Sequence, residues 1–195
     1  MLNRLLTQTG VLEREHFTPA EASALERLAS RLAAVERYRI VRKYVSGVVI
    51  DAACGCGYGS VMLSRCPAAV RVLGIDRDSD SIAFARSEYS GDAVTFSRCD
   101  FETPDFAALL AAEQPDCVVS VETLEHLRDP APFVAAVKAS GAGRFVATFP
   151  SFATSSFNQY HLNDITLDGL TALVGHGPVK AFVIDDAVTL AVYDL

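Results

Sequence analysis

Apolar and polar positions along this chain fall into blocks whose period changes partway through. Leu25, Leu28, Leu32 and Val35 recur three to four residues apart after the segment Thr18-Pro19-Ala20-Glu21. Thr18 suits a helix cap, Pro19 fits a first turn, and Glu21 can bond back to the cap N–H. The pattern predicts a helix with one buried face running from residue 18 toward Tyr44. From Gly47 onward, short and almost wholly apolar runs take over at 48–51, 70–75, 93–97, 116–121 and 144–149. Runs of that length read as strands covered on both faces. Helical stretches are expected between them at 58–66, 79–89, 103–112 and 130–139. The last of these opens with Asp129-Pro130, a cap followed by proline at the first helical position. Residues 179–184 and 188–193 flank Asp185-Asp186-Ala187 and read as a hairpin. Strands alternating with helices and closed by a hairpin predict an α/β fold, a doubly wound, mostly parallel sheet with one antiparallel strand. Residues 1–17 are weakly patterned, and there are no repeats or low-complexity tracts.

One strand-to-helix junction in this frame carries chemistry. Val48-Val49-Ile50-Asp51-Ala52-Ala53-Cys54-Gly55-Cys56-Gly57-Tyr58-Gly59 passes from an apolar run, through an acid and a small-residue turn, into a helical stretch. Glycines in such a turn let a ligand lie against bare backbone. The helix N-terminus beyond it favours negative charge, so a nucleotide-like cofactor is the natural occupant. The next apolar run ends on Asp76, about 20 residues beyond Gly57, where an acid can accept hydrogen bonds from ribose hydroxyls. A nicotinamide dinucleotide fits poorly. Its G-x-G-x-x-G pattern would start at Gly55 and require glycine where Ser60 stands, and Asp51 would face a pyrophosphate.

The segment Asp51-Ala52-Ala53-Cys54-Gly55-Cys56-Gly57 resembles the first motif of class I S-adenosylmethionine-dependent methyltransferases, with Ala53 where glycine is commoner. The similarity continues through Gly74-Ile75-Asp76, Arg98-Cys99-Asp100-Phe101 and Asp116-Cys117-Val118-Val119-Ser120-Val121-Glu122, and covers residues 46–150 in order. The resemblance implies a Rossmann-like sheet of seven strands in the order 3-2-1-4-5-7-6, preceded by N-terminal helices. It implies S-adenosylmethionine as cofactor and S-adenosylhomocysteine as product. Asp76 would take the ribose hydroxyls, and Asp100 the adenine amino group, with Phe101 against the ring and Arg77 over its edge. The backbone at Ala53, Gly55 and Gly57 would approach the amino-acid tail. Asp51 would act on the tail's ammonium through hydrogen bonds, and Val121 and Glu122 would line the pocket. Residues 1–45 are expected to form a helical lid, with Phe17, Arg37 and Tyr38 facing the cofactor. Residues 46–195 are expected to form the methyltransferase domain.

Beyond the fourth predicted strand lies Glu122-Thr123-Leu124-Glu125-His126. On a helical turn Glu122, Glu125 and His126 would converge while Leu124 and Leu127 turn inward. The E-x-x-E-H pattern is similar to that of ubiquinone-pathway O-methyltransferases. It is also similar to that of plant small-RNA 3′-terminal 2′-O-methyltransferases, where it holds a metal. The reading adopted here is that no metal is needed, with Glu122, Glu125 and His126 as the weak candidates for ligands. His126 and His161 are the candidate catalytic bases. His161 belongs to a polar, aromatic stretch after the fifth predicted strand, and loops at such strand ends face the ligand crevice. Tyr160-His161-Leu162-Asn163-Asp164 is similar to a segment of sugar and natural-product methyltransferases. The expected function is methyl transfer to a small-molecule hydroxyl, on a sugar or secondary metabolite. The alternatives are an RNA 2′-O-methyltransferase using an E-x-x-E-H metal site and a non-catalytic cofactor-binding protein.

Composition narrows this further. The 195 residues carry 17 basic and 24 acidic side chains, a net charge of −7, which disfavours a phosphate backbone as partner. No apolar run approaches the ~20 residues that span a bilayer, and no signal-peptide core is present. The cysteines at 54, 56, 66, 99 and 117 are odd in number and lack a second pair at zinc-site spacing. They are expected to be reduced thiols of a cytoplasmic protein.

Overall fold

The computed structural model describes residues 19–195. The expected Thr18 cap and Phe17 lie outside that range. Thirteen regular elements follow in order: α1 (Pro19–Val41), β1 (Gly47–Ala52), α2 (Tyr58–Ser64), β2 (Ala69–Asp76), α3 (Ser79–Tyr89), β3 (Val94–Arg98), α4 (Pro104–Glu113), β4 (Cys117–Val121), α5 (Pro130–Ala139), β5 (Arg144–Pro150), α6 (Leu167–Val174), β6 (Lys180–Ile184) and β7 (Val188–Asp194). Short 3₁₀ turns occupy Arg42–Tyr44 and Leu124–His126. Among the described residues, no helix is long and apolar enough to cross a membrane.

The sheet runs β3-β2-β1-β4-β5-β7-β6, the seven-stranded order that the resemblance implies. Four pairings are parallel, β1 with β2 and β4, β2 with β3, and β4 with β5. Strand β7 runs antiparallel between β5 and β6. Side chains alternate between two cores, as the pleat requires. On one face Ile50, Val118, Phe145 and Phe149 pack with Phe106 of α4 and Phe133 of α5. On the other Val49, Val119 and Val146 pack with Leu63 of α2, Ile82 of α3 and Tyr38. Burial on both faces explains why these strands read as unbroken apolar runs.

The chain divides into two units at Ala33/Ala34. In the first, Leu25, Leu28 and Leu32 of α1 are exposed. In the second, Val35 is exposed, and burial begins only at Tyr38 and Val41. The helix is therefore present but the buried face expected along its length is not. Periodicity reports that a helix is amphipathic, not what covers it. Gly59 at the start of α2 allows Tyr38 its place, since a Cβ there would lie 2.1 Å from the Tyr38 ring.

Candidate active site

The site is built at the carboxyl ends of β1 and β4, which are neighbours although their onward connections leave in opposite directions. Open α/β sheets bind ligands at such switch points. After β1 the chain turns through Ala53 at φ 62°, Gly55 at φ 52° and Gly57 at φ 89°. Gly57 has a packing requirement of its own, because a Cβ there would come within 2.7 Å of Ala85 and 2.8 Å of the Phe96 ring. At Gly55 a Cβ would meet open space. Its N–H donates to Asp76 Oδ2 at 2.9 Å, while the Asp78 N–H donates to Asp76 Oδ1 at 2.9 Å. Two backbone donors thus orient the acid that ends β2.

Asp51 lies beneath this turn with no solvent exposure. Ser60 donates to its Oδ2 at 2.6 Å and Tyr38 to its Oδ1 at 3.2 Å. Burial raises its carboxyl to about 7 against the lowering effect of those two hydrogen bonds, and the nearby Asp76 raises it further. Tyr38 lines the crevice and Asp51 does not, so the acid reaches that space through the phenol.

Two cavities meet at Ala53. One, of about 100 Å³, is lined by Ala53, Asp76, Arg77, Asp100, Phe101 and His126 among others. The other, of about 220 Å³, is lined by Arg37, Tyr38, Gly55, Tyr58, Val121 and Glu122 among others. In the first, Asp100 Oδ1 accepts from the Glu102 N–H at 3.0 Å. The buried Phe101 is held edge-on by Phe106 and Phe133. Arg77 is exposed, 3.8 Å from Glu102.

The segment after β4 departs from a regular helical turn. Glu122 sits at φ 50°, which rotates its side chain away from the following 3₁₀ turn. Its N–H donates to Thr148 Oγ1 at 3.1 Å and its Oε1 accepts from that hydroxyl at 3.0 Å. Burial raises its carboxyl. Leu124 and Leu127 turn inward as expected, but the convergent group is Glu125, His126 and His161, whose ligating atoms lie within 4.8 Å of one another. Glu122 stands outside that cluster. The His126 and His161 rings meet edge to face at 4.7 Å. The loop carrying His161 is pinned to the 3₁₀ turn, because the Leu162 and Asn163 N–H groups both donate to the Glu125 carbonyl, at 2.7 and 3.1 Å. Asn163 Nδ2 also donates to the Leu127 carbonyl.

Sequence reasoning gave Ser60 no role beyond breaking a dinucleotide pattern, and it passed over Tyr58, Glu102, Thr123 and Thr148. The usable signal for Ser60 was Asp51 itself, since an acid at the end of a buried strand needs donors. Nothing in the sequence marks Thr148, which reaches Glu122 across 26 positions.

Comparison with known proteins agrees with this arrangement. Residues 49–141 match the family model described as methyltransferase domain. A probable S-adenosylmethionine-dependent methyltransferase of Mycolicibacterium smegmatis is 28% identical over 197 aligned positions, covering 96% of this chain and 66% of the relative. The chain thus spans just under two thirds of that relative's length. A TehB-like S-adenosylmethionine-dependent methyltransferase of Corynebacterium glutamicum superimposes with a TM-score of 0.59 at 19% identity, over 91% of this chain and 99% of its own. The N-methyltransferase NodS of Bradyrhizobium japonicum, in complex with S-adenosylhomocysteine, gives a TM-score of 0.65 at 14% identity, over 83% and 87%. Residues 49–141 thus match a methyltransferase domain, and in its motifs and strand order the chain is similar to class I S-adenosylmethionine-dependent methyltransferases.

Proposed function

We propose that this chain is an enzyme that transfers a methyl group from S-adenosylmethionine to a hydroxyl of a small molecule. The observation that carries the reading is the pair of cavities joined at Ala53, with acids at both ends of a largely apolar crevice. The donor set suits the cofactor. Asp76 offers its carboxylate to the ribose diol, Asp100 its second oxygen to the adenine amino group, and Phe101 and Ala53 give the ring an apolar bed. At the other end the buried Asp51, acting through Tyr38, and Glu122 supply negative potential for the ammonium of the amino-acid tail. The bound cofactor contributes an electrophilic methyl on a sulfonium that leaves as a neutral thioether.

What remains for the protein is alignment and proton management. Alignment of two bound reactants can lower the barrier by about 7–11 kcal/mol, and a positioned base adds ~10²–10⁴-fold for a hydroxyl nucleophile. His126 Nδ1 faces the Tyr160 carbonyl at 2.8 Å and must donate to it, which leaves Nε2 with a free lone pair. His161 Nδ1 pairs with Thr154 Oγ1 at 2.6 Å, again leaving Nε2 available. Burial and the neighbouring His126 lower the His161 pKa, which keeps it neutral near pH 7. A neutral His161 imidazole packed against His126, which lines the crevice, favours an oxygen acceptor, which must lose a proton, over an amine that can enter uncharged.

The reading is tested by supplying labelled S-adenosylmethionine with panels of hydroxylated and aminated small molecules and locating the label. Label on oxygen is expected. Label confined to nitrogen or carbon would overturn the acceptor assignment.

A further inference from the structure

We propose that the hollow at the amino ends of β1 and β2, lined by Arg42, Lys43, Arg65, Cys66 and Pro67, binds the phosphate or diphosphate group of a free small molecule. The first observation lies in the sequence. Arg37, Arg39, Arg42, Lys43, Arg65 and Arg71 fall within residues 37–75, where the sole acid is Asp51. That acid is wholly buried. A segment of one sign, in a chain whose net charge is −7, sets up a local positive potential.

The second is how the cations are matched. Arg39, Arg71, Arg77 and Arg144 face the carboxylates of Glu36, Glu113, Glu102 and Asp194. Arg86, Arg98 and Lys138 donate to backbone carbonyls. Among the described residues, the side chains of Arg42, Lys43 and Arg65 have neither kind of partner. Lys43 acts on Glu36 only as a weaker electrostatic influence beside Arg39. Three like charges around one hollow favour an anion between them.

The third is how the hollow is built. Arg42 and Lys43 belong to the 3₁₀ turn after α1, and Arg65 caps the carboxyl end of α2. The segments that lead from them into β1 and β2 are tied together. The Gly47 N–H donates to the Ala68 carbonyl at 2.7 Å, and the Cys66 thiol to the Val45 carbonyl at 3.7 Å. Helix carboxyl ends attract cations, which accounts for the residue types but not for a shared hollow of about 270 Å³. That volume lies just below the ~300–1,000 Å³ of drug-sized pockets, so it suits a charged headgroup. Guanidinium forks match phosphate oxygens bidentately, and the ammonium adds a point charge. A single hollow in an acidic chain suits a free anion better than a nucleic-acid track or an anionic membrane face. The six residues of β1, at ~3.3 Å each, put roughly 20 Å between this hollow and the crevice. The occupant is therefore a second ligand and not the methyl acceptor.

The test titrates pyrophosphate, and inorganic phosphate beside it, calorimetrically into the full chain. One equivalent of pyrophosphate should bind with a submillimolar dissociation constant, more tightly than phosphate, and more weakly as salt is added. Arg42→Gln and Arg65→Gln should each weaken it about tenfold, the loss expected for one charge-assisted hydrogen bond. Lys138→Gln, on the opposite face of the sheet, should leave it unchanged. Saturating S-adenosylhomocysteine should not displace it. No binding by the wild type, affinity untouched by both arginine substitutions, or displacement by S-adenosylhomocysteine would overturn the site. Binding to vesicles of phosphatidylcholine and phosphatidic acid, or to an RNA oligonucleotide, without binding of pyrophosphate would overturn the free-ligand assignment. The site does not rest on the proposed methyl transfer, and a chain that takes S-adenosylhomocysteine but no pyrophosphate refutes only this inference.

Discussion

Ala53 and Glu122 both adopt left-handed backbone angles at the mouth of the crevice. A non-glycine residue there costs about 1–2 kcal/mol, and such strain concentrates at functional sites. Ala53→Gly should therefore keep the fold and raise stability by roughly 0.5–1 kcal/mol, measurable in denaturant melts; a loss of stability would show that the Ala53 methyl contributes packing that outweighs the strain. Asp51 supplies a second expectation at this scale. Its carboxyl is held up at about 7 by burial, and the ammonium of an amino-acid tail bound above it would favour the ionised form. Affinity for S-adenosylhomocysteine should accordingly fall as the pH drops below 7. Tyr38→Phe should reduce the affinity at pH 8, because it removes the hydroxyl linking that acid to the crevice. Both effects are read by titration across pH.

At the scale of elements, the aromatic stack between α4, α5 and β5 backs the wall proposed here for the adenine ring. Phe106 and Phe133 lie stacked at 4.7 Å and hold Phe101 edge-on. Phe133→Ala should cost about 3–5 kcal/mol and loosen the wall formed by Phe101; thermal melts without and with cofactor check it. The central strands β1, β4 and β5 were legible because burial on both faces writes itself as apolar runs, and the Asp129 cap was legible from its sequence, its side chain accepting from the Ala131 N–H at 2.9 Å. Other features were not legible, for physical reasons. Leu25, Leu28, Leu32 and Val35 have helical spacing, but spacing carries no information about a partner. The turn after β4 was expected to be regular, and a single left-handed residue, Glu122, turned its carboxylate toward Thr148. His161 entered the cluster beside Glu125 through loop hydrogen bonds to backbone carbonyls, which leave no trace in residue types.

For the whole molecule, pH acts on folding through the same buried acids. Asp51 and Glu125 have folded values near 7 and 8, above their ordinary values of 3.8 and 4.5. The stability they contribute is full below the unfolded values and is lost as pH rises through the folded ones. The melting temperature of the free protein should thus rise as pH is lowered from 9 to 7. Below about 6.5, His161 opposes the trend, since its lowered value favours the unfolded chain as protons become available. Exposed acids with lowered values, such as Asp78 and Asp164, act only at more acidic pH. A flat profile between pH 9 and 7 would mean that the two buried acids are paired in solution.

We propose that the crevice at the β1/β4 switch point holds the cofactor through Asp76 and Asp100. Calorimetric titration of S-adenosylhomocysteine into wild type, Asp76→Ala and Asp100→Ala tests it most directly. Stoichiometric binding to the wild type is predicted, with each substitution weakening it about tenfold, equivalent to roughly 1.4 kcal/mol. No binding by a folded wild-type chain, or a nicotinamide dinucleotide binding in its place, would contradict the account.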